Sequence, residues 1–212
     1  MTSRLDLPLS SPRRPLRRQS NRAAATRRAL MHAAREVFTE AGYAEASIAD
    51  LVTRSQASVG SLYHHFGGKG ELYLALFESF HREQMDLATA AVAAERGGGE
   101  QDPMTLFLAG AKAYLQSCWD GRDLTRRFLE GGGPDGFEEV VRRRTCDWVR
   151  QNTSLLRAEE RHNGEALVHT LTTVAGTAGR EVAKCLTASR ARQLSEDFLE
   201  LMARTATPRE ST

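Results

Sequence analysis

Apolar positions recur along the chain at intervals of three and four, and clusters of glycine, serine and proline cut the pattern into segments. Between Arg22 and Ala41, the residues Leu30, Ala33, Ala34, Val37, Phe38 and Ala41 fall on one helical stripe, closed by Gly42 at a C-terminal cap position. Ser47 reads as the N-cap of a short second helix with Ile48, Leu51 and Val52 on one face. That run stops at Ser55-Gln56-Ala57. Ser58 then caps a third helix whose Val59, Leu62 and Phe66 are expected to point toward the same core. Gly67-Gly68 permits a turn into a long helix from Lys69 to about Glu95, with Leu72, Ala75, Leu76, Phe77, Phe80 and Leu87 on its inner side. At about 1.5 Å per residue this helix is roughly 40 Å long, enough to link two domains.

The second half repeats the alternation of helix and breaker. After Gly97-Gly98-Gly99, Pro103 opens a helix to about Asp120, and a shorter segment covers Gly121 to Glu130. Gly131-Gly132-Gly133-Pro134 interrupts, Asp135 is expected to cap a helix to about Leu156, and Gly164–Leu186 and Ser189–Thr205 form the last two. The expected fold is all-α. The second and third helices form a helix-turn-helix from Ser47 to Phe66, with Val59–Phe66 as recognition helix. Its outer face carries Gly60, Ser61, Tyr63 and His64. These are small or hydrogen-bonding and carry no negative charge that phosphates would repel. Lys69, at the start of the fourth helix, is placed to clamp a phosphate together with that helix's amides.

Charge sharpens this picture modestly. The net charge of +2 conceals an excess of four positive charges over residues 1–21, one over residues 22–82, and three negative charges over the rest. The basic excess lies at the end that carries the helix-turn-helix. Residues 1–21, rich in Pro, Ser and Arg, are expected to be a disordered basic arm, either solvated or touching DNA beside the recognition helix. Residues 22–82 are the DNA-binding unit, 83–205 the C-terminal helical domain, and 206–212 a tail. No apolar run approaches the roughly 18 residues of a membrane span and no signal peptide is evident, which places the protein in the cytoplasm, on the nucleoid when bound to DNA.

Other chemistries find little support. Cys118, Cys146 and Cys185 form no CxxC pair, so neither a disulfide framework nor a structural zinc site is expected, and buried thiols are the plain reading. His64 and His65 are adjacent and point about 100° apart on a helix, which excludes i, i+4 metal ligation. There is no G-x-S-x-G, H-E-x-x-H or Walker loop, and neither triple glycine is followed by Lys-Ser/Thr. No enzyme, metal or cofactor is expected.

The spaced motifs as a set resemble the TetR family of transcriptional regulators. They are F-x-x-x-G-Y from Phe38 to Tyr43, S-I-x-D-L from Ser47, S-x-G-S-L-Y-x-H-F from Ser58, and G-x-K-x-E-L from Gly67 to Leu72. The resemblance covers about residues 24–80. It implies an all-α homodimer with three DNA-binding helices, a connecting fourth, and a divergent C-terminal bundle holding a small-molecule pocket and the dimer interface. By position, the family's DNA contacts fall on Ser47, Ser58, Val59, Gly60, Ser61, Tyr63, His64 and Lys69. The chain departs from the pattern at Val52, at Gln56 where members usually carry Gly, and at Val59, which could meet a thymine methyl but not pair with guanine. In a left-handed turn Gln56 would cost about 1–2 kcal/mol.

Helical facing and family analogy together suggest a pocket lined by Phe107, Tyr114, Trp119, Phe128, Trp148, His169 and Thr172, with ordinary core as the plain alternative. The small residues Ala175, Gly176, Ala178 and Gly179, with Leu194, Phe198, Leu201 and Met202 of the last helix, suggest half of an intermolecular four-helix bundle. Arg142-Arg143-Arg144 reads as a solvated face, with recognition of an acidic effector as the alternative. The function expected is a dimeric regulator, most naturally a repressor, released from a pseudo-palindromic operator in double-stranded DNA by a small molecule. An effector-independent structural or nucleoid factor of the same fold is the second reading.

Overall fold

The computed structural model describes residues 16–129 and 131–205, with side chains from Asn21 onward, and residues 1–15 of the basic arm lie outside it. The described residues form helices and no strand. They are α1 (Leu16–Glu45), α2 (Ile48–Ser55), α3 (Val59–Phe66), α4 (Lys69–Gly97), α5 (Pro103–Asp120), α6 (Arg122–Leu129), α7 (Phe137–Leu155), α8 (Gly164–Lys184) and α9 (Ala188–Thr205). A short 3-10 turn at Ala158–Glu160 was not foreseen. No helix among the described residues is long and apolar enough to cross a membrane.

Two boundaries differ from expectation. α1 begins at Leu16, so residues 16–21 are helical rather than part of the arm. α7 starts after Gly136 in left-handed geometry (φ +80°), with no side-chain cap, and Asp135 does not cap it. The remaining junctions follow their residues. Gly42 leaves helical geometry at φ +78° and kinks α1. Ser47 closes a capping box with Asp50 at the start of α2. Gln56 ends α2 at φ 54°, ψ 25°, the left-handed conformation its place in the turn demanded.

Three apolar clusters organise the packing. The first gathers Leu30, Ala34, Val37, Phe38, Leu51 and Leu62 from α1–α3, and runs without a break into Tyr73, Phe77, Phe128 and Phe137. Tyr73 packs edge-on against Phe38, Tyr43, Phe128 and Phe137 at 5.1–5.4 Å, and Phe77 does the same against Phe128 and Phe137. Such ring pairs are worth about 0.5–1.5 kcal/mol each beyond burial. The core of the N-terminal head is therefore fused to α6 and α7. The other two clusters lie among α5, α7, α8 and α9. Ala41, Leu87 and Val59, assigned to inner faces by periodicity, are exposed.

Candidate nucleic-acid interface and ligand cavity

α3 is short, and its termini hold it. The Ser58 hydroxyl accepts from the Ser61 amide at 3.1 Å and lies 2.9 Å from the Ser61 hydroxyl, while the Gly67 amide returns to the Tyr63 carbonyl at 2.9 Å. Leu62 is fully buried and Phe66 half-buried beneath the Arg27 guanidinium, 4.8 Å from its ring centroid. This anchoring turns the opposite face outward. Val59 is 49% and Tyr63 51% exposed, and Ser58, Gly60 and His64 are exposed with them. Ser61 is half-buried, and so is Ser47, whose hydroxyl accepts from the Asp50 amide at 3.1 Å and meets the Asp50 carboxylate at 2.6 Å. His65 turns inward of His64, their rings 5.2 Å apart. The nearby acid Glu40 is neutralised by Arg54, which holds its carboxyl below the usual carboxylate range. The outer face of α3 thus offers hydroxyls, an imidazole and an apolar valine, with no acid.

Lys69 has a different task from the one its position suggested. Its ammonium donates to the carbonyls of Tyr43 and Ala46 at 2.9 Å and Ala44 at 3.3 Å, and stands 4.5 Å from the Tyr43 ring centroid. An ammonium has three N–H donors, and all three have acceptors here. Lys69 ties the turn between α1 and α2 to α4, and a phosphate would have to displace a carbonyl to reach it. No side chain caps the first amides of α4, and Glu71 supplies a carboxylate to its first turn.

The C-terminal helices enclose a cavity of about 320 Å³. It gathers five of the seven residues expected to form a pocket, namely Tyr114, Phe128, Trp148, His169 and Thr172. Phe77, Phe80, His81, Gln84 and Arg144 join them from α4 and α7. Periodicity missed these because α4 was treated as a connector with one inner face, whereas its second half fronts a space instead of a core. Phe107 lines a separate cavity of about 280 Å³ on the other side of Trp148. Trp119 lies apart from both. It lines a small cleft against α9 and carries Arg122 at 4.4 Å over its ring.

Several buried polar groups at the cavity wall have partners within the fold. Asn152 donates to the Thr172 hydroxyl at 3.1 Å, both residues being buried. Gln84 donates to Cys118 Sγ at 3.4 Å, and burial pushes that thiol up to about 12. Burial likewise drives the Tyr114 phenol well above its ordinary value, so it stays a neutral donor. His81 titrates below the usual imidazole range because burial, with Arg144 beside it, disfavours its charge. Of the thiols only Cys118 is fully buried. Cys146 is exposed and Cys185 half-buried, because α7 turns its Cys146 side to solvent.

Ala175, Ala178 and Gly179 of α8 serve packing within the subunit. Ala175 is fully buried, and a methyl at Gly179 would stand 2.9 Å from both Cys118 Sγ and the Tyr114 hydroxyl, so the glycine lets α8 approach α5. Gly176 faces the cavity. Leu194 and Phe198 pack partly against Leu115, Ala178 and Val182, and only Leu201, 55% exposed, stands clear of the core.

Residues of α6 that periodicity left unassigned join the two regions. Arg35 of α1 makes a bidentate pair with Asp123 at 2.9–3.2 Å. Arg127 donates to the carbonyls of Thr39 and Glu40, and Arg126 to that of Ala183 at the end of α8. Arginines on one short helix thus cap two others. The signal in the sequence was the alternation of Arg126-Arg127 with Thr125 and Phe128.

Residues 30–76 match the family described as bacterial regulatory proteins, tetR family. The chain is 33% identical over 89 residues to the HTH-type transcriptional regulator TtgR of Pseudomonas putida, covering 42% of this chain and 40% of that protein. It is 40% identical over 83 residues to the HTH-type transcriptional regulator CymR of Pseudomonas putida, covering 39% and 40% respectively. The chain therefore spans about two fifths of the length of these curated relatives. Its fold is that of a transcriptional regulator from Aquifex aeolicus, with a TM-score of 0.67 at 20% identity, covering 85% of this chain and 99% of that one. The matched relatives are regulators, and over residues 30–76 the chain is similar to the tetR family of bacterial regulatory proteins.

Proposed function

We propose that the protein is a homodimeric, sequence-specific DNA-binding regulator, acting as a repressor in the cytoplasm and released from a pseudo-palindromic operator by a small molecule. The observation that carries this reading is the outward, acid-free face of α3, fixed from behind by Leu62 and at its ends by Ser58 and Gly67. Val59, Gly60, Tyr63 and His64 reach base edges and phosphates, while Ser47, Ser58 and Ser61 present the helix ends. Two copies joined through α8 and α9 set two such helices about one DNA turn apart. Leu201, with the outer edges of Leu194 and Phe198, contributes to that contact, and Ala175 and Gly179 are already occupied within the subunit.

The cavity favours an effector-responsive regulator over a purely structural DNA-binding factor. Thr125 and Phe128 of α6 line the cavity, while Asp123 and Arg127 of the same helix hold α1. A ligand that moves Phe128 shifts α6, and through it the head, supplying a coupling of about 1–3 kcal/mol. The test is fluorescence anisotropy against DNA from immediately upstream of the protein's own gene, with a scrambled duplex as control and salt varied. Selective binding with a steep salt slope, lost in Tyr63→Ala at unchanged thermal stability, is the expected result. Tyr63→Ala binding as tightly as the parent would remove α3 as the reading helix.

A further inference from the structure

The cavity's lining is chemically lopsided. Its inner wall is aromatic, built from Phe77, Phe80, Phe128 and Trp148. Its charged lining residues are Arg144 and Arg180, and no Asp or Glu is among them. The two arginines differ. Arg144 is answered from outside the cavity by Glu78 at 2.8 Å and Asp147 at 3.4 Å. Arg180 has no carboxylate partner among the described residues. Its guanidinium donates to the Thr177 hydroxyl at 3.0 Å, a neutral neighbour on the same helix.

One turn before Arg180 the wall of α8 is empty. A methyl at Gly176 would meet nothing within 4 Å, so the space between Thr172, Thr173 and Arg180 is open. Phe128, Leu129, Val141 and Arg180 also line a wider surface groove under the glycine-rich loop 131–136, which makes Arg180 the residue at the mouth of the cavity. That outer groove carries Asp135, Glu138 and Glu139 beside Arg142 and Arg180, with Glu139 paired to Arg142, whereas the inner cavity carries arginines and no acid.

Resting on the reading of this cavity as the effector site, we propose that it takes a compact anionic amphiphile. The apolar or aromatic body of the ligand packs on Phe77, Phe80, Phe128 and Trp148. Its carboxylate lies above Gly176, where Arg180 and the Thr173 hydroxyl receive it. A volume near the lower end of the roughly 300–1,000 Å³ usual for ligand pockets limits the ligand to a small molecule. A guanidinium with no carboxylate partner among the described residues, at the edge of an aromatic wall, favours an anion over a neutral or cationic analogue of the same shape.

Trp148 provides the readout. In the Trp119→Phe protein it is the one tryptophan left, and it lines the cavity. Octanoate, decanoate and 4-phenylbutyrate are titrated against octanol, decanol and 4-phenylbutan-1-ol, following Trp148 emission. At least one acid is expected to quench saturably and about tenfold or more tightly than its alcohol, the factor a charge-assisted hydrogen bond carries. Arg180→Gln removes that advantage and leaves the alcohol's affinity unchanged, whereas Gly176→Val weakens acid and alcohol alike. Alcohols equal to acids, an acid preference surviving in Arg180→Gln, or no saturable quenching by any acid would each overturn the proposal. The operator assay on the ligand-free protein is scored separately. Selective DNA binding with no acid preference leaves the regulator standing and removes only the ligand class.

Discussion

The head, α1–α3 with the start of α4, and the bundle that follows solve opposite problems with the same helices. In the head, the short α2 and α3 are closed at their ends by local caps, and large apolar side chains from α1–α3 pack against one another. Leu30, Phe38, Leu51 and Leu62 are at most 1% exposed. In the bundle, large aromatic side chains border cavities of about 320 and 280 Å³ instead of filling them. The head holds one surface rigid toward the outside, and the bundle keeps space within. The lesson is that local capping makes a surface precise, whereas only long-range packing can leave a hole of defined shape.

The sharpest test compares one aromatic truncation in each region. Phe38→Ala removes a ring from a fully packed site and should destabilise by about 3–5 kcal/mol. Trp148→Ala enlarges space that already exists and should lose distinctly less, about 1–2 kcal/mol by the transfer component alone. Denaturant midpoints measure both, and equal losses would erase the contrast. Next in size is Lys69→Met. If Lys69 serves to tie the α1–α2 turn to α4, three carbonyls lose their donor and stability falls by about 1–3 kcal/mol. DNA affinity of the folded fraction would then fall less than in Tyr63→Ala. A Lys69→Met protein that melts normally but has lost operator binding would restore the phosphate role.

Gln56→Gly should stabilise the head by about 0.5–1 kcal/mol. Relief of the left-handed strain is partly offset by the greater freedom of glycine in the unfolded chain. A melting temperature unchanged or lowered would mean the Gln56 side chain does more than tolerate its turn. The smallest effect concerns His81 at the cavity wall. Its folded pKa lies below the unfolded value, so the neutral form is favoured by folding. Its contribution is complete above about pH 6.5 and declines as pH falls through the folded pKa. His81→Gln should flatten the stability profile on the acid side of pH 6.5, and identical slopes in the two proteins would contradict that assignment. Around His81 stand Glu78, Arg144 and Asp147, so the comparison is best made at one ionic strength.

Sequence was most legible where structure is local. Ser47, Ser58, Gly42 and Gly67 act within three or four residues, so their caps and turns could be placed from spacing, while the left-handed Gln56 was legible only through the family resemblance. Even there, periodicity overreached. It sent Val59, Ala41 and Leu87 inward, because a stripe shows which residues share a face but not how far a partner extends along it. Five residues of the cavity were legible from helical facing with the family resemblance, while Trp119 and Phe107 went to other spaces. Which of two neighbouring faces meets a void depends on the crossing of α4, α5, α7 and α8, and spacing carries no information about that crossing.

The sequence by itself determined the all-helical chain, its punctuation, the helix-turn-helix and an outer face of α3 that anions can approach. Each of these depends on residues a few positions apart, whose hydrogen bonds and steric limits are the same in any context. Tertiary structure alone decided that Lys69 faces carbonyls, that Ala175 and Gly179 are packed within the subunit, that α6 grips both α1 and α8, and that Arg180 at the cavity mouth has no carboxylate partner among the described residues. The Lys69 tie joins residues 23 positions apart, the Arg126 contact 57 and the Arg127 contact 88, and such partners meet only once the helices have packed.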